Sequence, residues 1–208
     1  MPEAAHHTAD VFGVSRDLPL SYVERDSVDN KLIDNLTRDK HVIIYGGSKQ
    51  GKTCLRKHCL NDNDYVLVQC QNTWDIARLS EAILKATGCE VEISHSRTTD
   101  GKTKIQVKAS GGFSLFGLGK TDVEGSAGHD KGEAETRSYE PLQLDSSDPN
   151  DLVRALKGME FDKFIVLEDF HYLPKETQEQ FAFVLKTIHE LSKITFIIVA
   201  VWREETVL

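Results

Sequence analysis

No apolar run in this 208-residue chain approaches the ~20 residues that a bilayer-crossing helix needs, so no membrane span is expected. The first residues, Met1-Pro2-Glu3-Ala4-Ala5-His6-His7, lack the basic and apolar regions of a secretory signal. Cysteine is scarce. Cys54, Cys59, Cys70 and Cys89 form no C-x-x-C pair and no Cys/His zinc spacing, which argues against a redox motif, a zinc site or a disulfide framework. Buried reduced thiols in a cytoplasmic protein are the expectation. Positive charge is in deficit, 25 Lys and Arg against 33 Asp and Glu, giving a net charge of −8 and a pI near 5.5. That balance gives no support to non-specific nucleic-acid binding. It still permits a local basic patch, and Lys49, Lys52, Arg56, Lys57 and His58 do cluster.

The remaining composition, 39% hydrophobic and 28% charged, is that of a soluble globular protein. A chain of this length buries roughly 70% of its unfolded surface, enough for one domain or one domain with a large insertion. Its most informative segment is Gly46-Gly47-Ser48-Lys49-Gln50-Gly51-Lys52-Thr53, which satisfies G-x-x-x-x-G-K-[ST] in full. Gly46 and Gly51 permit backbone angles that let such a loop wrap a phosphate closely. The loop N–H groups then form an anion nest at the positive end of a helix beginning near Lys52, with Cys54 in its first turn. Lys52 would reach the β- and γ-phosphates of a nucleotide, and the Thr53 hydroxyl would ligate Mg²⁺. The apolar run His41 to Tyr45 precedes the loop and a Gly- and Pro-free stretch to Leu60 follows it, so strand, loop and helix stand in the required order.

Residues 1–20 read as a loose arm. A helix is expected from Asp26 or Ser27, capped at its start, to about Arg38, with Val28, Leu32, Ile33 and Leu36 on one face. Residues 41–45 and 65–70 read as buried strands. Thr73 is placed to cap a helix over 74–87 that Gly88 closes. Eight of the chain's 14 glycines lie between Gly101 and Gly132, so residues 89–145 read as a Gly-rich insertion containing a hairpin and mobile loops. Lys104 to Ala109 alternates as a half-exposed strand does. Phe113, Leu115, Phe116 and Leu118 form an apolar tip that either folds back or meets a partner or membrane surface. Ser147-Asp148-Pro149 starts a helix ending near Gly158. Phe164 to Leu167 is a third buried strand, a helix follows Pro174, and Thr195 to Val201 is a fourth strand. Short apolar strands alternating with helices imply a mainly parallel sheet covered on both faces, a three-layer α/β/α sandwich.

The third strand ends in Glu168-Asp169 at what would be its C-terminal edge, where ligands bind in open α/β sheets. One carboxylate would serve Mg²⁺ and the other would orient water toward a γ-phosphate. Because consecutive strand residues point to opposite faces, the two acids should divide these tasks. By order, Glu168 takes the metal side and Asp169 the water side.

With these blocks the chain resembles the ASCE division of P-loop NTPases, in particular AAA+ and STAND ATPases, including the origin-recognition type. The resemblance covers blocks between Tyr22 and Arg203 and leaves the insertion unmatched. It implies that Tyr22-Val23-Glu24-Arg25, with Glu24 where Gly is usual, lies against adenine. It also implies that Glu168 to Leu173 is an extended Walker B segment, with Glu168 where Asp is usual. The fourth strand would be the sensor 1 strand, and Arg203 falls near an arginine that senses the γ-phosphate. The helical lid of those families has no counterpart in this sequence, so a truncated sequence or a protein working with a partner is expected.

The leading expectation is therefore an Mg-ATP-dependent switch ATPase, with a protein partner or self-association. The alternative is a nucleotide-binding interaction module that does not turn over. A small-molecule kinase would carry an Arg-rich lid, which is not visible. A GTPase would carry N-K-x-D, which Asn30-Lys31-Leu32-Ile33 fails at its last position.

Overall fold

The computed structural model describes residues 18–93, 104–109 and 142–201, together with Thr8 and Val11. Arg203, most of the N-terminal arm and the apolar Gly-rich tip fall outside the described residues. The chain is α/β and clusters into two units, residues 1–74 with 162–208, and residues 75–161. Among the described residues no helix is long and apolar enough to cross a membrane.

The first unit is built on four parallel strands, β1 (Val42–Gly46), β2 (Tyr65–Gln69), β6 (Phe164–Glu168) and β7 (Phe196–Val201), in the spatial order β1-β7-β6-β2. Register sets Gly46 beside Val201 and Gln69 beside Glu168, so all four C-terminal ends lie along one edge. β6 and β7, the central pair, are buried almost throughout. β1 and β2 are outer strands among the described residues, with Ile43, Tyr45 and Leu67 exposed. The sequence-based expectation of two buried strands is corrected at these positions. Apolar composition alone does not separate an outer strand from a central one.

Alternation assigns the two faces. Ile44, Val166, Ile197 and Val199 pack with Leu32 of α1 (Asp26–Leu36) and with Leu55 and Leu60 of and after α2 (Lys52–Cys59). On the other face Phe196 meets Phe181 of α5 (Lys175–Leu191), and Phe181 also meets Phe170 of a short 3-10 turn, Phe170–Tyr172. Helix α1 begins without a side-chain cap from Arg25. Asp29, one turn in, accepts the Arg25 N–H at 2.9 Å and the Tyr22 hydroxyl at 3.0 Å instead.

The second unit pairs β3 (Cys89–Ile93), β4 (Lys104–Ala109) and β5 (Leu142–Asp145) as an antiparallel sheet, one strand more than a hairpin. Helices α3 (Ile76–Ala86) and α4 (Pro149–Gly158) pack on each other, α3 also against β3 and α4 against β5. Their shared core holds Leu79, Ile83, Ile105, Val107, Leu144 and Leu156. The cap of α3 is Asp75, which accepts from Arg78 N, and not Thr73. Asp148 caps α4 with Pro149 in its first turn, as the sequence indicates.

At the end of the first unit's sheet away from the C-terminal edge, His41 Nδ1 accepts the Phe196 N–H at 3.1 Å while Nε2 donates to Leu185 O at 2.9 Å. Only the neutral, Nε2-protonated ring satisfies both. Burial, then the nearby His189, holds the His41 pKa below its ordinary 6.5 despite the Leu185 carbonyl. The unfolded chain therefore takes up this proton first as pH falls. Stability from His41 is complete above about pH 6.5 and is lost as pH drops through the lower folded value. His41→Gln should cost about 1–3 kcal/mol at pH 7.5 and show a shallower loss of stability between pH 6.5 and 5, measured by urea unfolding.

Candidate functional site

The segment between β1 and α2 turns back on itself through unusual backbone angles. Gly51 has φ 76° and Gly46 φ 154°, and a Cβ at Gly46 would collide with Gln50 Oε1. Lys49 adopts φ 60°, a left-handed angle that costs a side-chain-bearing residue energy and so requires support from its surroundings. Gly51 O accepts the Leu55 N–H at 2.8 Å, which starts α2 directly from the loop. Helix α2 thus aims its N-terminal turn at the mouth of the loop, and its dipole favours an anion there.

The loop's own groups bond one another across that mouth. Gly47 N donates to Gln50 Oε1 at 2.8 Å, and Lys52 Nζ donates to Gly47 O at 2.7 Å and Gly46 O at 3.3 Å. These contacts satisfy an amide donor and a cation within the loop itself.

Thr53 stands in the first turn of α2 and reaches across to β6. Its hydroxyl donates to Glu168 Oε1 at 2.6 Å. The other carboxylate oxygen, Oε2, accepts from Arg56 Nε at 3.1 Å. Arg56 is the site residue that motif reading missed, absorbed there into the loop's basic cluster. Its spacing was the available signal, since residues three apart on a helix share a face and Thr53 must face the acids. The Arg56 side chain is 3% exposed and its guanidinium lies 4.8 Å from the Tyr65 ring centroid. Its Nη1 is buried with no hydrogen-bond partner among the described residues.

Asp169 is not a strand residue. The chain leaves β6 at Glu168 and turns through Asp169 at φ 56° into the 3-10 turn. The acids are separated by this turn and not by strand alternation. Asp169 accepts a hydrogen bond from Gln69 at the end of β2. His171 Nδ1 accepts the Val201 N–H at 3.2 Å, fastening the same turn to the end of β7 beside Gly46. Behind the acids, burial and then the Asp169 and Glu168 carboxylates push the Cys70 thiol up to about 12, so it is no nucleophile at neutral pH.

Gly46 to Thr53, Glu168 and Asp169 thus meet at the C-terminal edge of one sheet, with Ser48, Lys49 and Cys54 in or just after the loop. A groove of about 610 Å³ runs beside the loop between α1 and β1, lined by Arg25, Val28, Leu32, Tyr45, Gln50 and Lys52 among others. Tyr22 and Val23 are not among its lining residues. The Tyr22 ring lies tilted against His58, centroids 4.7 Å apart, and its hydroxyl bonds Asp29, while Val23 is 74% exposed. The chain matches no protein-family model, and none of the curated proteins.

Removing one partner of a buried ion pair leaves the other uncompensated. Glu168→Ala should lower stability by about 3–5 kcal/mol in urea unfolding. Asp169→Asn keeps a residue that tolerates the left-handed angle and should change stability by less than about 0.5 kcal/mol.

Proposed function

We propose that this chain is an Mg-ATP-binding switch module of the P-loop NTPase type, with slow hydrolysis. The observation that carries the reading is the Thr53–Glu168 hydrogen bond. It unites the glycine loop with an acidic strand end at one sheet edge, with the end of β7 between the two strands. A glycine loop that were only a turn would need no such partner.

On this reading the loop N–H groups and the α2 N-terminus hold the phosphates. Lys52 exchanges the Gly46 and Gly47 carbonyls for phosphate oxygens, and the Gly47 N–H exchanges Gln50 Oε1 for one. The groove along α1 and β1 receives the base and sugar. Arg25 on its wall is the residue of the Tyr22 to Arg25 block available to meet them.

Thr53 and Glu168 supply two hard oxygens, a donor set suited to Mg²⁺, which takes one or two carboxylates plus substrate phosphates rather than an all-protein cage. The bound ion would offset charge on the β- and γ-phosphates. Asp169 orients a water whose oxygen forms the new bond to the γ-phosphorus as the bond to the ADP oxygen breaks. The Asp169 carboxylate must first release Gln69 or share its oxygens between Gln69 and water. That engagement, with Arg56 already on Glu168, favours slow turnover. It is also the specific support for the second reading, a nucleotide-binding interaction module that does not hydrolyse. The neighbouring β7 end and the His171 turn would register the γ-phosphate. A protein partner or a second copy would receive the resulting change.

Titration with a fluorescent ATP analogue in Mg²⁺ should give saturable binding that Lys52→Ala weakens about 10- to 100-fold, the worth of a lost charge-assisted hydrogen bond. Asp169→Asn should keep binding and abolish phosphate release. No binding by the wild-type chain would overturn both readings. Binding without phosphate release would select the second.

A further inference from the structure

Arg56 enters the loop-and-acid scheme only through its hold on Glu168, yet it is the most completely buried cation among the described residues. A gain in stability is a weak reason for it. A buried ion pair is often replaceable by apolar side chains of similar size without loss, and in this pair Nη1 makes no hydrogen bond among the described residues. Apart from Glu168 its guanidinium lies over the Tyr65 ring, an apolar face. A leucine or methionine would fill that slot more cheaply. What arginine alone adds is a fixed positive charge 3.1 Å from Glu168 Oε2.

We propose that Arg56 is an internal counter-ion that makes cation binding conditional on nucleotide. This role rests on the edge being an Mg-nucleotide site. Glu168 is the carboxylate joined to Thr53, and its charge is already balanced by Arg56. A divalent ion approaching Glu168 in the nucleotide-free site meets a Glu168–Arg56 pair that is neutral in sum, so that carboxylate holds it weakly. Nucleotide phosphates bring the negative charge that the pair withholds, and the ion then binds with them. Arg56 is therefore a positioning and charge-balancing residue acting through Glu168. The device keeps the site from filling with bare metal, and it makes the ion report nucleotide occupancy.

The direction of the effect separates this role from a structural one. If Arg56 merely supported the fold, removing it would loosen Glu168 and weaken metal binding. As a counter-ion, its removal strengthens it. The experiment uses Mn²⁺ as the probe, read by its free EPR signal, on the nucleotide-free and ATP-saturated chain. Wild type should bind Mn²⁺ weakly alone and far more tightly with ATP. Arg56→Gln and Arg56→Met should each tighten nucleotide-free Mn²⁺ binding by about tenfold, the scale on which a neighbouring charge biases its partner. Arg56→Lys, which keeps the charge, should stay within about threefold of wild type. Methionine fills the slot against Tyr65, so either neutral variant that folds decides the matter. Unchanged or weaker nucleotide-free Mn²⁺ binding in the neutral variants would overturn the counter-ion role. Wild-type Mn²⁺ binding that ATP does not tighten would instead overturn the nucleotide site on which it rests.

Discussion

The hydrogen bond from Thr53 to Glu168 holds the two halves of this site together. It joins two segments more than a hundred residues apart, the first turn of α2 and the end of β6. Parallel pairing brings the strand ends to one edge, and α2 must lie flat on the face of Val166 and Ile197 for Thr53 to arrive there. The apolar cluster beneath α2 is therefore what sets the distance between hydroxyl and carboxylate. Glu168 has a longer side chain than aspartate and needs its second oxygen fixed. Arg56, one helical turn below Thr53, fixes it.

Two kinds of restraint surround this contact. The loop is self-satisfied, with Gln50 on Gly47 N and Lys52 on the Gly46 and Gly47 carbonyls. On the proposed reading, a bound phosphate would exchange for these partners. The acid turn is tied on both sides, by Gln69 to Asp169 and by His171 to Val201. Single hydrogen bonds thus link this turn to the ends of β2 and β7. In a nucleotide switch, those two bonds would carry the state of the site toward the surface.

Much of the frame was legible in the sequence, because the strands around Ile44, Val166 and Ile198 are short apolar runs and the helices between them carry 3.6-residue periodicity. The loop octapeptide and the Glu168-Asp169 pair stood out in the sequence as candidate site residues, and the structure sets them at one edge. Other features were not. Strand order decides that β1 and β2 lie outside among the described residues and that Gln69 stands beside Glu168, and no local pattern encodes strand order. The left-handed turn at Asp169 follows from the chain leaving the sheet one residue earlier than its acidic pair suggests. Arg56 was hidden because a basic residue beside a phosphate loop needs no further explanation until its partner is seen. Asp75 displaced Thr73 as a cap because α3 starts later than its apolar residues imply.

If the edge formed by Gly46 to Thr53 and Glu168 is a nucleotide site, it must take a nucleoside triphosphate together with a divalent ion. Calorimetric titration of the wild-type chain with unlabelled ATP, in Mg²⁺ and again in EDTA, decides this. One ATP per chain should bind, with an affinity at least about tenfold higher in Mg²⁺ than in EDTA, as expected where metal and phosphates are held together. No heat of binding in either condition, or an affinity indifferent to Mg²⁺, would contradict a joint site for nucleotide and metal.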